Sequence, residues 1–230
     1  MSPTEGVIGE AWAMYRGHWR HFVSISFVVY ASVAVISLLL TLLLSWFGAL
    51  LGGLISLIAA FWLQGALVRA VEDVRDGRSD MSLGETFASV RPYLSSIIVA
   101  GLLAGLGIVL GLILLIVPGL VLLTWWILIV PAIVLEHKRA GEAFGRSREL
   151  VRGYGWSVFG VIILTLLIYI GVSIVLRLVL TPLADWLESF LADIIVGTLA
   201  IPLLTVTWTL LYFRLREAKE PAAAVVEPAV

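Results

Sequence analysis

Long apolar runs alternate with short amphipathic stretches along this chain. Six runs are predominantly apolar: 23–46, 50–68, 94–117, 119–135, 157–180 and 194–213. Each is close to the roughly 20 residues that a helix needs to cross a hydrocarbon core of about 30 Å. Apolar positions in the stretches between the runs repeat with helical spacing. Ile8, Trp12, Tyr15, Trp19 and Phe22 share one helical face, as do Leu83, Phe87, Val90 and Leu94, and then Ala140, Phe144, Ser147, Val151 and Tyr154. Such a face predicts a helix lying flat at the membrane surface with its rings dipped into the acyl boundary.

One phrase recurs in all three amphipathic stretches. Gly9-Glu10-Ala11-Trp12 ends in Arg16, Gly84-Glu85-Thr86-Phe87 in Arg91, and Gly141-Glu142-Ala143-Phe144 in Arg148. Each copy precedes a pair of apolar runs. The pattern therefore predicts an all-α polytopic integral membrane protein. Its six transmembrane helices form three parallel hairpin repeats, each preceded by a cytoplasmic interfacial amphipathic helix. Two crossings per unit preserve orientation, so the repeats would be related by an axis along the membrane normal. The units cover about 3–70, 81–136 and 138–214 within a single transmembrane domain, 1–216, and an Ala/Pro/Glu-rich tail, 217–230, is expected to be disordered and cytoplasmic.

Local signals refine the boundaries. Ser2-Pro3-Thr4-Glu5 and Ser82-Leu83-Gly84-Glu85 read as helix starts, because a serine N-cap with glutamate three residues on satisfies two orphan amides. Turns are expected at 48–53, at Asp76-Gly77 and at Pro118-Gly119. Pro131 should kink the fourth run, and a neighbouring element must then serve the carbonyl it frees. Gly101, Gly105, Gly107 and Gly111 give the third run small packing faces. The stretch 181–193 departs from the pattern as an acidic, amphipathic insertion with Leu183, Trp186, Leu187 and Phe190 on its apolar side.

Composition and charge settle the solvent and the orientation. Charged residues make up 13% of the chain, about half the share usual in soluble domains, and the mean hydropathy is +1.08. The first apolar run is too long for a signal-peptide core and has no clear cleavage site, so it is expected to stay in the mature protein. Every Lys and Arg except Arg177 lies before the first run, between the second and third, between the fourth and fifth, or after the sixth. The positive-inside rule then places both termini in the cytoplasm, and Asp185 and Glu188 of the acidic insertion outside. Asparagine is absent and arginine far outnumbers lysine, which fits a GC-rich prokaryotic genome and a multi-pass protein of the prokaryotic cytoplasmic (inner) membrane.

The chain resembles the membrane-domain family named after glycerophosphoryl diester phosphodiesterases and related six-helix bacterial inner-membrane proteins. The resemblance rests on Gln64-Gly65-Ala66-Leu67-Val68-Arg69-Ala70, Pro118-Gly119, Val130-Pro131-Ala132-Ile133-Val134-Leu135-Glu136, and Glu142-Ala143-Phe144 with Arg146-Ser147. In the namesakes this region is fused to a phosphodiesterase barrel. Nothing in this chain corresponds to that barrel, so the resemblance implies no phosphodiesterase activity here.

A search for chemistry returns little. Cysteine is absent, which removes disulfides, thiolate catalysis and cysteine metal sites. His18, His21 and His137 are scattered at the cytoplasmic boundary, and the sequence lacks H-E-x-x-H, G-x-S-x-G and Walker motifs. Neither enzyme activity nor a cofactor or metal is expected. An aromatic and an arginine four residues apart are neighbours on a helix, so Trp12/Arg16, Phe87/Arg91 and Phe144/Arg148 suit a lipid headgroup above an acyl boundary. Ordinary interfacial anchoring needs the same residues. Pro118, Gly119, Pro131 and Glu136 are assigned structural roles, with Glu136 expected to pair with Arg139, Arg146 or Arg148.

The expected function is non-enzymatic binding of lipid or a membrane partner through the cytoplasmic amphipathic helices. A transporter or channel for an uncharged or lipid-like substrate between the three hairpins is the alternative. Membrane lipids are the expected partners, with a protein partner or homo-oligomer beyond them and no nucleic acid.

Overall fold

The computed structural model describes residues 2–77 and 81–220, apart from the side chains of Asp185 and Trp186. Most of the expected tail, the Trp186 ring and the Asp185 carboxylate thus lie outside the described residues. The fold is all-helical, and no strand occurs among the described residues. Several of the helices are long and apolar enough to cross a membrane.

The short helix α1 (Val7–Gly17) ends before α2 (Trp19–Arg75) begins. Backbone geometry at His18, φ −122° and ψ 29°, separates them. Trp19 and Phe22 therefore belong to α2, and the expected single surface helix from Ile8 to Phe22 is two. Its start is also later than the serine cap suggested. Ser2 and Thr4 hydrogen-bond to each other at 2.8 Å in a turn, and the N-cap is Gly6, whose φ of 70° suits glycine.

At 57 residues α2 would be about 86 Å long if straight, far beyond any bilayer. It is not straight. Ser45 takes φ 52° and ψ −130°, and beyond it Gly48 faces Leu40 and Gly52 faces Ser37, so two arms run antiparallel. A side chain at Gly52 would come within 2.9 Å of Ser37 Cβ, which explains glycine at this close approach.

After α3 (Leu83–Val90) a single 3₁₀ turn, Arg91–Tyr93, leads into α4 (Leu94–Leu114). The reversal into α5 (Ile116–Trp126) falls at Leu115, which is extended at φ −158° and ψ 133°. Pro118-Gly119 is therefore not the turn. Pro118 sits in the first turn of α5, where its missing N–H costs nothing. Gly119 lies under Leu112, and a Cβ on Gly111 would be 2.9 Å from the Gly119 Cα, so the pair sets how closely α4 and α5 meet.

The fourth apolar run breaks at Ile127 and Leu128, and α6 (Ile129–Glu136) resumes with Pro131 in its first turn. Pro131 thus starts a helix instead of bending one. His137, at φ 56°, ends α6, and its ring stacks on Tyr93 at 5.1 Å. The remaining helices are α7 (Ala140–Val151), α8 (Gly155–Leu180) and α9 (Asp185–Lys219). The acidic insertion forms no separate element: from Asp185 onward it is the start of α9. At its other end α9 continues past Arg214 into the segment expected to be disordered.

The core gathers at one end, where Phe22, Leu67, Val71, Leu128, Ile133, Leu150 and Leu211 are fully or nearly fully buried. Around the other end large apolar side chains stand exposed, among them Leu43, Trp46 and Leu114. Soluble monomers do not leave so much apolar surface uncovered.

Candidate functional site

The three short helices α1, α3 and α7 share one register. In each copy of the recurring phrase the third position, Ala11, Thr86 or Ala143, is wholly buried, and the seventh, Tyr15, Val90 or Ser147, is buried beneath it. The face packed against the protein is therefore set by these i, i+4 pairs rather than by the aromatic positions. Small residues at the third position let each helix sit close to its support. The aromatic falls at the edge of the packed face and the arginine outside it.

Each helix rests on a different support. α1 packs chiefly on α9, α3 on α2, and α7 on α5 and α6. The Phe87 ring meets Trp62 edge to face at 5.7 Å, and Trp62 Nε1 donates to the Phe87 carbonyl at 3.1 Å. Phe144 meets Trp126 in the same geometry at 5.0 Å. Trp12 stacks on Tyr15 at 6.0 Å and stays 50% exposed. Two of the three rings are thus docked on tryptophans of the apolar helices α2 and α5.

The second position of the phrase is a helix-start acid. Glu85 accepts the Ser82 N–H at 2.8 Å while Ser82 Oγ accepts the Glu85 N–H at 3.3 Å, the expected reciprocal cap. The Ser82 hydroxyl, which also donates to the Glu85 carboxylate at 2.6 Å, and after it the Ser82 N–H hold the Glu85 carboxyl below its ordinary pKa. Glu142 likewise accepts the Arg139 N–H at 3.1 Å. In the first copy Glu10 instead receives the guanidinium of Arg214, which also donates to the Glu5 carbonyl.

Sequence reasoning missed the end of α9, which ties the layer together. Tyr212 donates to Glu136, Arg214 holds α1, and Glu217 pairs with Arg75 of α2. Lys219 Nζ donates to the Glu149 and Arg152 carbonyls at 2.8 and 2.7 Å, capping the C-terminus of α7. Arg146 is the base that Glu136 selects. Its Nε donates to both carboxylate oxygens at 2.8 Å, and its other nitrogens reach Glu149 and Glu220. Burial opposes the Arg146 charge, but the hydrogen bonds and charges of Glu136 and Glu220 outweigh it and hold its pKa above the ordinary value. Tyr212 and Lys219, seven residues apart, share one side of this end of α9 and Glu217 lies on another, and the hydropathy of that end marks it only as the close of an apolar run.

The arginines of the phrase behave differently. Arg16, Arg91 and Arg148 are exposed, and none makes an ion pair with another described residue. Arg148 lies 4.3 Å over the Trp125 ring. Next to it, Trp125, Thr124, Tyr154 and Trp156 line an apolar groove of about 570 Å³ between α5 and α8. A second cavity of about 530 Å³ lies between the two arms of α2 and helices α8 and α9.

Gly101, Gly107 and Gly111 all abut side chains or backbone of this chain, whereas Gly105 faces open space. Among the described residues no group of three or more His, Asp or Glu is placed to hold a metal ion. No family model, no curated protein and no solved structure matches this chain.

Proposed function

We propose that the chain is a non-enzymatic, six-crossing protein of a bacterial inner membrane that binds anionic lipid headgroups at the cytoplasmic leaflet. Six crossings follow if α2 counts as two, with reversals at Ser45, at Leu115 and at 181–184. On this reading α1, α3 and α7 lead three parallel hairpins, and kinship with the phosphodiesterase membrane-domain family rests on the motifs that carry the resemblance.

The observation that carries the proposal is a division of labour among cations. Arg75, Arg146, Arg214 and Lys219 are engaged inside the protein, whereas Arg16, Arg91 and Arg148, each four residues after an aromatic, are exposed and form no ion pair with a described carboxylate. A guanidinium free of protein carboxylates suits a phosphate bidentately, and the groove below Arg148 offers room for an acyl chain.

The test is native mass spectrometry of protein released from mixed-lipid nanodiscs. Replacing Arg16, Arg91 and Arg148 together by Gln should lower retained phosphatidylglycerol-type lipid about tenfold or more, each lost contact being worth roughly 0.5–1.5 kcal/mol. Unchanged retention sinks the reading. The alternative, a pathway for a lipid-like substrate, draws on the cavity between α2, α8 and α9.

A further inference from the structure

Along α8, Thr165, Tyr169, Ser173, Arg177 and Thr181 recur every fourth residue, a polar stripe on an otherwise apolar helix. Three of them, Tyr169, Ser173 and Arg177, line the cavity of about 530 Å³, a size typical of ligand sites. The facing wall is the first arm of α2, mostly apolar through Val29, Val33 and Leu38. Tyr30 and Thr41, which bound that wall, are about 17 Å apart along the arm, near half the thickness of a hydrocarbon core. The cavity is thus a slot about one leaflet deep, polar along one side and oily along the other.

Arg177 stands in the last turn of α8 and gives the slot a charged end. Arg177 lies 3.1 Å from Asp193 and 3.7 Å from Glu188, so one cation faces two carboxylates. Of the three only Arg177 and Asp193 line the slot, and Glu188 beside them leaves the cluster with one negative charge in excess. Asp193 and Tyr30 both line the slot, and the Tyr30 ring lies against Gly197, one turn along α9 from Asp193. An aromatic face beside an unbalanced carboxylate recognises ammonium.

We propose that this slot binds one amphiphile whose headgroup carries an ammonium group, its chain lying against the first arm of α2. The inference rests on the membrane-spanning reading above but not on the arginines at the surface helices. It predicts a headgroup preference opposite to theirs.

The full-length protein in detergent would be titrated with two single-chain lipids, one with a phosphoethanolamine head and one with a phosphoglycerol head, and complexes counted by native mass spectrometry. In the triple Arg16/Arg91/Arg148→Gln variant, which lacks the surface contacts to phosphoglycerol, the ethanolamine lipid should bind about tenfold more tightly, the effect expected of one ion contact of roughly 1.4 kcal/mol. Asp193→Asn should abolish the preference, and Ser173→Leu, which fills the slot, should abolish binding of the ethanolamine lipid. The triple Arg16/Arg91/Arg148→Gln variant should lose phosphoglycerol lipid and keep the ethanolamine preference. Equal binding of the two lipids to the triple variant would overturn the slot assignment, as would a preference that survives both Asp193→Asn and Ser173→Leu. Undiminished phosphoglycerol retention in the triple variant would overturn only the surface-helix reading.

Discussion

Ser147 fills the gap that Leu128 leaves in the fourth apolar run: its hydroxyl accepts the Leu128 N–H at 3.2 Å and donates to the Trp125 carbonyl at 2.6 Å. The break between α5 and α6 exposes backbone groups where water is scarce, and a buried side chain of α7 satisfies them. Ser147→Ala should therefore cost about 1–3 kcal/mol by stranding two buried polar groups. Thermal unfolding in detergent reads this out as a fall in Tm, and Ser147→Thr should recover part of it. An unchanged Tm for the alanine variant would mean that the two groups find other partners.

Glu136 and Arg146 form a pair whose side chains are only 9% and 13% exposed. Removing one partner from such a pair costs about 3–5 kcal/mol because the other charge stays behind. Glu136→Gln and Arg146→Gln should each destabilise strongly, and the double variant by much less than their sum. Additive losses in a double-mutant cycle would show that the two are not coupled.

Two glycines of neighbouring helices should respond in opposite ways. Gly119→Leu places a side chain into Leu112 and should destabilise by about 1–3 kcal/mol or more through overpacking. At Gly105 nothing lies within 4 Å, so Gly105→Ala should be neutral or stabilise by up to about 1 kcal/mol through helix propensity. Both are read by thermal unfolding, and a destabilising Gly105→Ala would reveal a partner surface on that face.

The cap of α3 carries a pH dependence of known sign. Glu85 has its carboxyl pKa held down by Ser82, so its contribution is present above the ordinary carboxylate range and is lost as pH falls through the depressed folded value. Hydrogen exchange at the α3 amides should accelerate on acidification, and Ser82→Ala should flatten that dependence. If the variant kept the full pH response, another acid would be responsible.

Hydropathy made the helices legible because lipid imposes one solution, the internally bonded helix, on any long apolar run. Boundaries were less legible. Pro-Gly reads as a turn in water-soluble chains, but Pro118 and Gly119 serve a helix start and a tight helix contact, while the reversal uses Leu115, which carries no turn signal. The packed face of the short helices was legible in part: Tyr15, Val90, Ser147 and Val151 lie on it as the spacing suggests, but Ala11, Thr86 and Ala143 were passed over because the aromatics dominate any apolar count. Pairing of Glu136 with a base was legible from charge and position, but the choice of Arg146 over Arg139 and Arg148 depends on how α7 turns toward α6. The stripe from Thr165 to Thr181 was present in the sequence, spread too thinly along an apolar helix to stand out from packing hydroxyls.

The ties made by the end of α9 carry a consequence for biogenesis. Tyr212, Arg214, Glu217 and Lys219 each grip a segment that leaves the ribosome earlier, so α1, α2, α6 and α7 wait for their fastenings until the closing turns of α9 have been synthesised. A nascent chain arrested before Tyr212 would hold its apolar helices in the bilayer with these segments unfastened, open to membrane proteases and quality-control chaperones until translation resumes.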